Sequence, residues 1–239
     1  MYSKLADIAN INILNMKKLL FIMSLIMLSN NNTIVAQSNA EIAENTSSNL
    51  QFTNSQFYDS SGTFLKEKAK DAVMQLLAYH HYPIFEGMRE KINVTDYGVG
   101  NFAKLGLSSI TFVNNEKEHY MLMDIFILPG QMLGEHRHIA AAGNPAKMEG
   151  WLIKYGSSFV AGIGEDNTAN FPQVVIPKEH WEGNTSSKHI IEAKPGDFLN
   201  LLEKGSYHWQ FGGKEGAILS EAANVHTPSG VKRPDPKMK

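Results

Sequence analysis

The sequence has no cysteine among its 239 residues, and this absence limits its chemistry. Without cysteine the fold has no disulfide bonds, no thiol for catalysis and no thiol for lipid attachment, so its stability must come from core packing. An excess of one charge is also missing, because the formal net charge at pH 7 is −2. This balance gives no electrostatic reason to expect binding to nucleic acid or to an anionic membrane. Small molecules and protein surfaces remain as partners.

Apolar runs long enough to span a membrane are absent as well. The run at residues 19–28 follows two lysines and is ten residues long, whereas a helix that crosses a bilayer needs roughly 20. A polar stretch and the sequence "VAQ" come next, an order typical of a signal peptide cleaved near Gln37. We therefore expect residues 1–37 to be removed, and the mature protein to be exported to the periplasm or secreted without a membrane anchor.

The next part of the chain divides by composition into two segments. Residues 38–62 are rich in Ser, Asn and Thr, which predicts a flexible linker. Residues 63–92 form an N-terminal helical segment, in which "FLKEKAKDAVMQLLAY" predicts one amphipathic helix. The apolar face of this helix consists of Leu65, Ala69, Ala72, Val73, Leu76 and Leu77.

Residues 93–239 carry a β pattern. Short β-prone runs such as "SSITFV", "YMLMDIFIL" and "KHIIEA" are separated by Gly, Pro, Asn and Asp. Their close spacing leaves no room for crossover helices, so we expect antiparallel strands. The pattern predicts an all-β sandwich or barrel.

A pair of histidines in "LPGQMLGEHRH" stands out within this β region. His136 and His138 are two residues apart, so both side chains lie on the same face of a strand. Two imidazoles that converge inside a barrel need a partner, and a divalent metal satisfies both. Glu149 and His208 are the further candidate ligands. Three imidazoles and one carboxylate leave open positions on a six-coordinate ion, where a substrate can bind.

The spacing of these four residues resembles the two-part signature of cupins. Gly130 precedes the histidine pair, and Gly156 follows the glutamate. One interval differs, since ten residues separate His138 from Glu149 where cupins commonly have three or four. The resemblance implies a cupin fold, that is, a double-stranded β-helix or jelly-roll barrel.

Three longer stretches resemble the cupin-type D-lyxose isomerases, which also interconvert D-mannose and D-fructose. These stretches are residues 94–138, the "KME" of residues 147–149 and "YHWQFGGKEGAILSE" of residues 207–221. The resemblance extends from residue 94 to about residue 236. It implies an aldose–ketose isomerase that acts on a free sugar, and a homodimer that pairs through sheet edges.

The same resemblance assigns roles to individual residues. It implies that Mn2+ is held by His136, His138, Glu149 and His208, with Zn2+, Fe2+, Co2+ or Ni2+ as alternatives. It also implies that Lys147 is an acid/base group, and burial near a metal would lower the pKa of its ammonium.

Isomerisation needs a further acid/base group, and two carboxylates are candidates. Glu221 lies in the apolar run "AILSEA", and Asp235 lies in "KRPDPK", where the family has a threonine-aspartate-proline. We favour Glu221 over Asp235. Tyr207 and Trp209 flank His208 and are candidates for stacking on a sugar face, with core packing as the alternative.

Three departures from the family pattern weaken the transfer of its substrate to this chain. The most important is localisation, because the family that this chain resembles has chiefly cytosolic known members, whereas this chain is expected to be exported. The other two are in the sequence. The family follows its glutamate with a threonine, an aromatic residue and an arginine, whereas this chain has Gly150, Trp151 and Leu152; its C-terminal motif is also altered, to "RPDP". Other functions stay open, because a site of three histidines and one glutamate serves several metals and reactions. One alternative is another metal-dependent cupin enzyme, such as a lyase, an epimerase or an Fe(II) dioxygenase. The other is a non-catalytic periplasmic sugar-binding cupin.

Overall fold

The computed structural model describes residues 50–239, so the predicted signal peptide lies outside the described residues. Among the described residues, no helix has both the length and the apolar character needed to cross a membrane. The α-helices in this part of the chain are α1 (Lys66–Tyr79) and α2 (Met88–Lys91). The strands are β1 (Asn93–Thr95), β2 (Leu107–Asn115), β3 (Tyr120–Ile127), β4 (Met132–His138), β5 (Glu149–Gly162), β6 (His189–Ala193), β7 (Phe198–Asn200), β8 (His208–Ala223) and β9 (Val231–Lys232).

Helix α1 lies where the amphipathic pattern predicted it, and its apolar side is buried. Val73, Leu76 and Leu77 each have a relative exposure of 0%. They belong to one core cluster with Phe126 of β3 and Ile218 of β8. The helix therefore covers part of the outer face of the sheet, and the inner face remains free to enclose a site.

The segment just before α1 differs from the predicted linker. Phe57 is 1% exposed and belongs to the same core cluster, against which Leu50 and Phe52 also pack. The Tyr58 hydroxyl donates a hydrogen bond to Asp96 Oδ2 at 2.7 Å. Composition missed this packing because a few aromatic side chains anchor a segment that is otherwise polar. Residues 50–62 are thus packed against the core, while residues 38–49 of the predicted linker lie outside the described part of the chain.

The strands form one curled antiparallel sheet, which confirms the all-β prediction. Strand β8 is its centre: one edge pairs with β5, and the other edge pairs with β4 and then with β3. Strands β2 and β1 extend the sheet beyond β3, and β6 and β7 pair with β5. This arrangement places the start of β8 beside β4 and the end of β8 beside the start of β5, so residues distant in sequence meet on the inner face.

The signature glycine at position 156 has a steric reason. Gly156 has a φ of 69°, in the left-handed region that favours glycine. A Cβ added there would lie 2.1 Å from the carbonyl oxygen of Gly216 on β8. Glycine therefore lets β5 and β8 approach closely where the register between them shifts, between Ile153 and Tyr155 and again between Gly156 and Ser158.

Candidate metal centre and active site

The four predicted metal ligands meet on the inner face of the sheet. His136 and His138 lie on β4, Glu149 begins β5, and His208 begins β8 directly opposite His136. One ligand atom from each residue lies within 4.8 Å of the others. The period of two on β4 brings both of its histidines to this point, as the sequence predicted.

The polar atoms at this point have no partner within the described residues. Glu149 Oε1 lies 3.1 Å from His138 Nε2 and 3.1 Å from His208 Nε2. All three atoms are buried and none makes a hydrogen bond. Buried polar groups are normally satisfied, so three orphaned atoms that face one another need a further group to bind them.

The ring orientations and charges favour a metal as that group. His136 Nδ1 donates to the carbonyl oxygen of Gly134 at 3.0 Å, and His208 Nδ1 donates to that of Ser206 at 3.2 Å. These bonds leave the Nε2 lone pairs free to point at the centre. Burial and the neighbouring imidazoles lower the pKa of His136 well below its ordinary value, and burial also lowers the pKa of His138. Neutral imidazole nitrogens and one carboxylate oxygen are a donor set that suits a divalent transition metal.

Two acid/base groups lie directly against this centre. Lys147 Nζ lies 2.9 Å from Glu149 Oε2 and also contacts Glu221 Oε1. Lys147 and Glu221 are 5% and 4% exposed. The loop between β4 and β5 brings Lys147 into position, while Glu221 comes from the far end of β8. The carboxylate favoured from sequence therefore lies beside the lysine that the resemblance indicated.

The pKa of Lys147 is raised, whereas the sequence analysis expected it to be lowered. Burial lowers the pKa of Lys147, but Glu221 and Glu149 outweigh this effect and raise the pKa above its ordinary value. The expected lowering was wrong because it omitted these two carboxylates. Burial raises the pKa of Glu221, and Glu149 adds to this effect, although Lys147 opposes it.

A cavity of about 170 Å³ lies over these groups. Met121, Met123 and Ile125 of β3 form an apolar side of it, at the period of two expected for a strand. Polar residues that sequence reasoning missed or ranked low also line the cavity: Trp151, Gln210, His226 and Arg233. The same period contains a signal for two of them, since Trp151 lies two residues after Glu149 and Gln210 two residues after His208.

The two aromatic residues predicted to contact substrate do not line this cavity. Trp209 is 0% exposed, and its Nε1 donates to the carbonyl oxygen of Ser187 at 2.8 Å within the core. The Tyr207 ring instead lies against the guanidinium of Arg137, with 5.0 Å between Arg137 Cζ and the ring centroid. Immediate neighbours of a residue in extended chain point to the opposite face, so two residues that flank His208 cannot share its direction.

Asp235 also lies away from the cavity. Its side chain is buried, with a residue exposure of 2%. Oδ2 accepts a hydrogen bond from the backbone N–H of Trp181 at 2.7 Å, and Oδ1 accepts one from that of Lys237 at 2.9 Å. Asp235 therefore links the segments that contain Trp181 and Lys237 by hydrogen bonds, and this position does not fit the acid/base role considered for it.

This placement makes a testable prediction for Asp235→Asn. An amide group has one acceptor oxygen, so one backbone N–H loses its partner, and we expect a loss of about 1–3 kcal/mol of stability. We expect kcat to change by less than about threefold, because substitutions away from the reacting groups act mainly on stability. Thermal unfolding and steady-state kinetics check the two parts. A fall in kcat of about a hundredfold in folded protein would contradict this prediction and indicate that Asp235 takes part in catalysis.

Comparison with solved structures agrees with the fold. A crystal structure of Cellulomonas parahominis L-ribose isomerase with L-psicose matches with a TM-score of 0.50 at 12% sequence identity, over 76% of this chain and 89% of that one. No protein-family model matches the chain. The curled antiparallel sheet, with its buried cluster of three histidines and one glutamate, defines the chain as a cupin.

Curated relatives show which cupin family this is. The chain is 32% identical over 164 residues to D-lyxose ketol-isomerase of Cohnella laeviribosi, a match that covers 69% of this chain and 86% of that protein. It is 31% identical over 173 residues to D-lyxose/D-mannose isomerase of Thermosediminibacter oceani, covering 72% and 92%. The chain belongs to the D-lyxose ketol-isomerase family and is an aldose–ketose isomerase.

Proposed function

We propose that this protein interconverts a free aldose and its ketose by proton transfer between C1 and C2, with D-lyxose and D-mannose as the first substrates to test. The observation that carries the proposal is the contact of Lys147 with both Glu149 and Glu221. It joins a metal-type ligand cluster to two groups able to hold or move protons, inside a cavity of about 170 Å³. The names of the relatives support these sugars.

The ligand cluster fits a divalent ion, which we propose to be Mn2+, held by His136, His138, Glu149 and His208. The orphaned Glu149 Oε1 and imidazole Nε2 atoms support this assignment. When bound, such an ion supplies Lewis-acid stabilisation of negative charge on the sugar oxygens. Elemental analysis of protein purified without added metal tests which ion is present.

We assign the proton transfer between carbons to Glu221. Removing a proton from C2 of an aldose gives an enediolate. Returning it to C1, while the proton of the C2 hydroxyl passes to O1, completes the ketose, so one group must accept a proton from one carbon and donate it to the other. A buried carboxylate suits this role because burial raises its pKa towards the operating range. Lys147 lies between two carboxylates that hold it as an ammonium, so it donates hydrogen bonds to a sugar oxygen as charge develops there.

Isomerisation in D2O tests this function. The full-length protein with added Mn2+ is incubated with a panel of pentoses and hexoses that includes D-lyxose and D-mannose, and the products are analysed by mass spectrometry. We expect a ketose that carries one carbon-bound deuterium, because an enediolate exchanges its proton through Glu221 with solvent. His208→Ala is the control. A ketose without deuterium would contradict solvent-exchanging proton transfer, and no product from any sugar despite bound metal would contradict the isomerase proposal for this panel.

Two further proposals depend on sequence reasoning alone. The signal-like residues 16–37 support export, and N-terminal sequencing of the mature protein tests for cleavage near Gln37. A homodimer is proposed from the family resemblance, and light scattering on the purified protein tests it. Uncleaved protein that stays in the cytoplasm, or a monomer at micromolar concentration, would contradict the respective proposal.

A further inference from the structure

Trp151 connects the proposed proton carrier to the ligand cluster. It lies on β5, two residues after Glu149, and it is the direct cross-strand partner of Glu221 on β8. Its indole Nε1 donates to Glu221 Oε2 at 3.4 Å. Its ring lies against that of His208, with 5.3 Å between the centroids and an angle of 43° between the planes. Trp151 is only 2% exposed, so these contacts are shielded from water.

We propose that Trp151 is a positioning residue that fixes the orientation of the Glu221 carboxylate. This inference rests on the proposed role of Glu221 in proton transfer. The two carboxylate oxygens have different partners: Oε1 contacts Lys147 Nζ, and Oε2 accepts the indole N–H. Rotation of the carboxylate about its terminal bond would break both contacts, so Trp151 and Lys147 together define the plane of the group.

Few other hydrogen-bond donors near Glu221 could fix the orientation of its carboxylate. On the opposite side of β8, its cross-strand partner is Met123 of β3, whose side chain has no hydrogen to donate. Among the described residues, the Glu221 side chain contacts the donors of Lys147 and Trp151. The Glu149 carboxylate also lies nearby, but an ionised carboxylate has no hydrogen to donate. Without the indole N–H, one oxygen of a buried carboxylate loses its partner, and the carboxylate becomes free to turn away from the reacting carbons.

Trp151→Phe removes the N–H and keeps an aromatic ring beside His208. We expect kcat to fall about tenfold with KM within about twofold of the wild type, since misorientation of an acid/base group weakens the transition state more than substrate binding. Affinity for Mn2+, measured by calorimetry, should stay within about threefold, because the ligand atoms are untouched. The matched control is Trp209→Phe, which removes a buried indole N–H bonded to Ser187 outside the cavity. It should lower stability and leave kcat within about twofold of the wild type.

A double-mutant cycle distinguishes positioning from a general structural effect. If Trp151 acts through Glu221, Trp151→Phe should lower kcat about tenfold in the wild type and change it by less than about twofold in the Glu221→Gln background. Equal losses in both backgrounds would overturn the proposal. A parallel loss of Mn2+ affinity and kcat would also overturn it, since Trp151 would then act through His208.

A crystal structure of Trp151→Phe makes the test independent of activity. The proposal predicts that the Glu221 carboxylate is rotated relative to the wild type, whereas an unchanged carboxylate would overturn it even if kcat falls. If the wild-type enzyme is inactive on all sugars, the proposed function is contradicted. The orientation of the Glu221 carboxylate in the crystal structure still tests the positioning role of Trp151. If Trp151→Phe does not fold, 3-benzothienylalanine at position 151 keeps the fused ring and replaces the N–H by sulphur. The same rotation is expected.

Discussion

Glu221→Gln should lower kcat by about a thousandfold and leave Mn2+ binding close to that of the wild type. General acid–base catalysis contributes about 10²- to 10⁴-fold, and an amide cannot accept the proton from C2. The side chain keeps nearly the same volume in a site where the glutamate is 4% exposed, so the cavity keeps its shape. The amide also removes one of the two carboxylates that contact Lys147, while Glu149 remains beside it.

Two measurements separate loss of chemistry from loss of fold. Steady-state kinetics give kcat and KM, and exchange of the C2 proton of the sugar with D2O reports whether any base still removes it. We expect the exchange rate to fall in parallel with kcat. Asp235→Asn is the comparison, because it alters a buried carboxylate away from the cavity and should keep kcat. Undiminished exchange in Glu221→Gln would assign the proton transfer to another group.

The ligand set could be predicted because strand periodicity is regular over short distances. His136 and His138 share a face whatever the tertiary structure, and the cupin spacing then indicated Glu149 and His208. The contact between Lys147 and Glu221 was harder to predict, because it depends on how β5 and β8 pair. No local pattern defines that register, and the family resemblance supplied Lys147.

The candidate site residues that do not line the cavity have one feature in common. Tyr207 and Trp209 were selected for their nearness to His208 in sequence, although adjacent residues on an extended chain point in opposite directions. Asp235 was selected by motif, and its oxygens satisfy two backbone N–H groups. In each case the chemical type of the residue suited the function, but its direction in the fold did not. The proposed role of Trp151 depends on two facts. The sequence shows that Trp151 lies on the same face of its strand as Glu149, but only the structure shows that its cross-strand partner is Glu221.

His208→Ala should abolish both high-affinity Mn2+ binding and isomerisation, because it removes one of three nitrogens directed at the centre. In the wild type, a metal at a hundred times its Kd stabilises the folded state by about 2.7 kcal/mol. For a chain of this size, this corresponds to a rise in Tm of roughly 5–10 °C. In His208→Ala the same Mn2+ concentration should leave Tm nearly unchanged.

The thermal shift has a diagnostic advantage over activity, because it reports metal binding without substrate. His208 also lies against Trp151, so a loss of activity alone would not distinguish a missing ligand from disturbed packing. Trp151→Phe distinguishes these two causes, because its Mn2+-induced rise in Tm should be the same as in the wild type while its kcat falls. A full Mn2+-induced rise in Tm in His208→Ala would contradict the assignment of His208 as a ligand. The remaining donors, His136, His138 and Glu149, would then suffice to hold the ion.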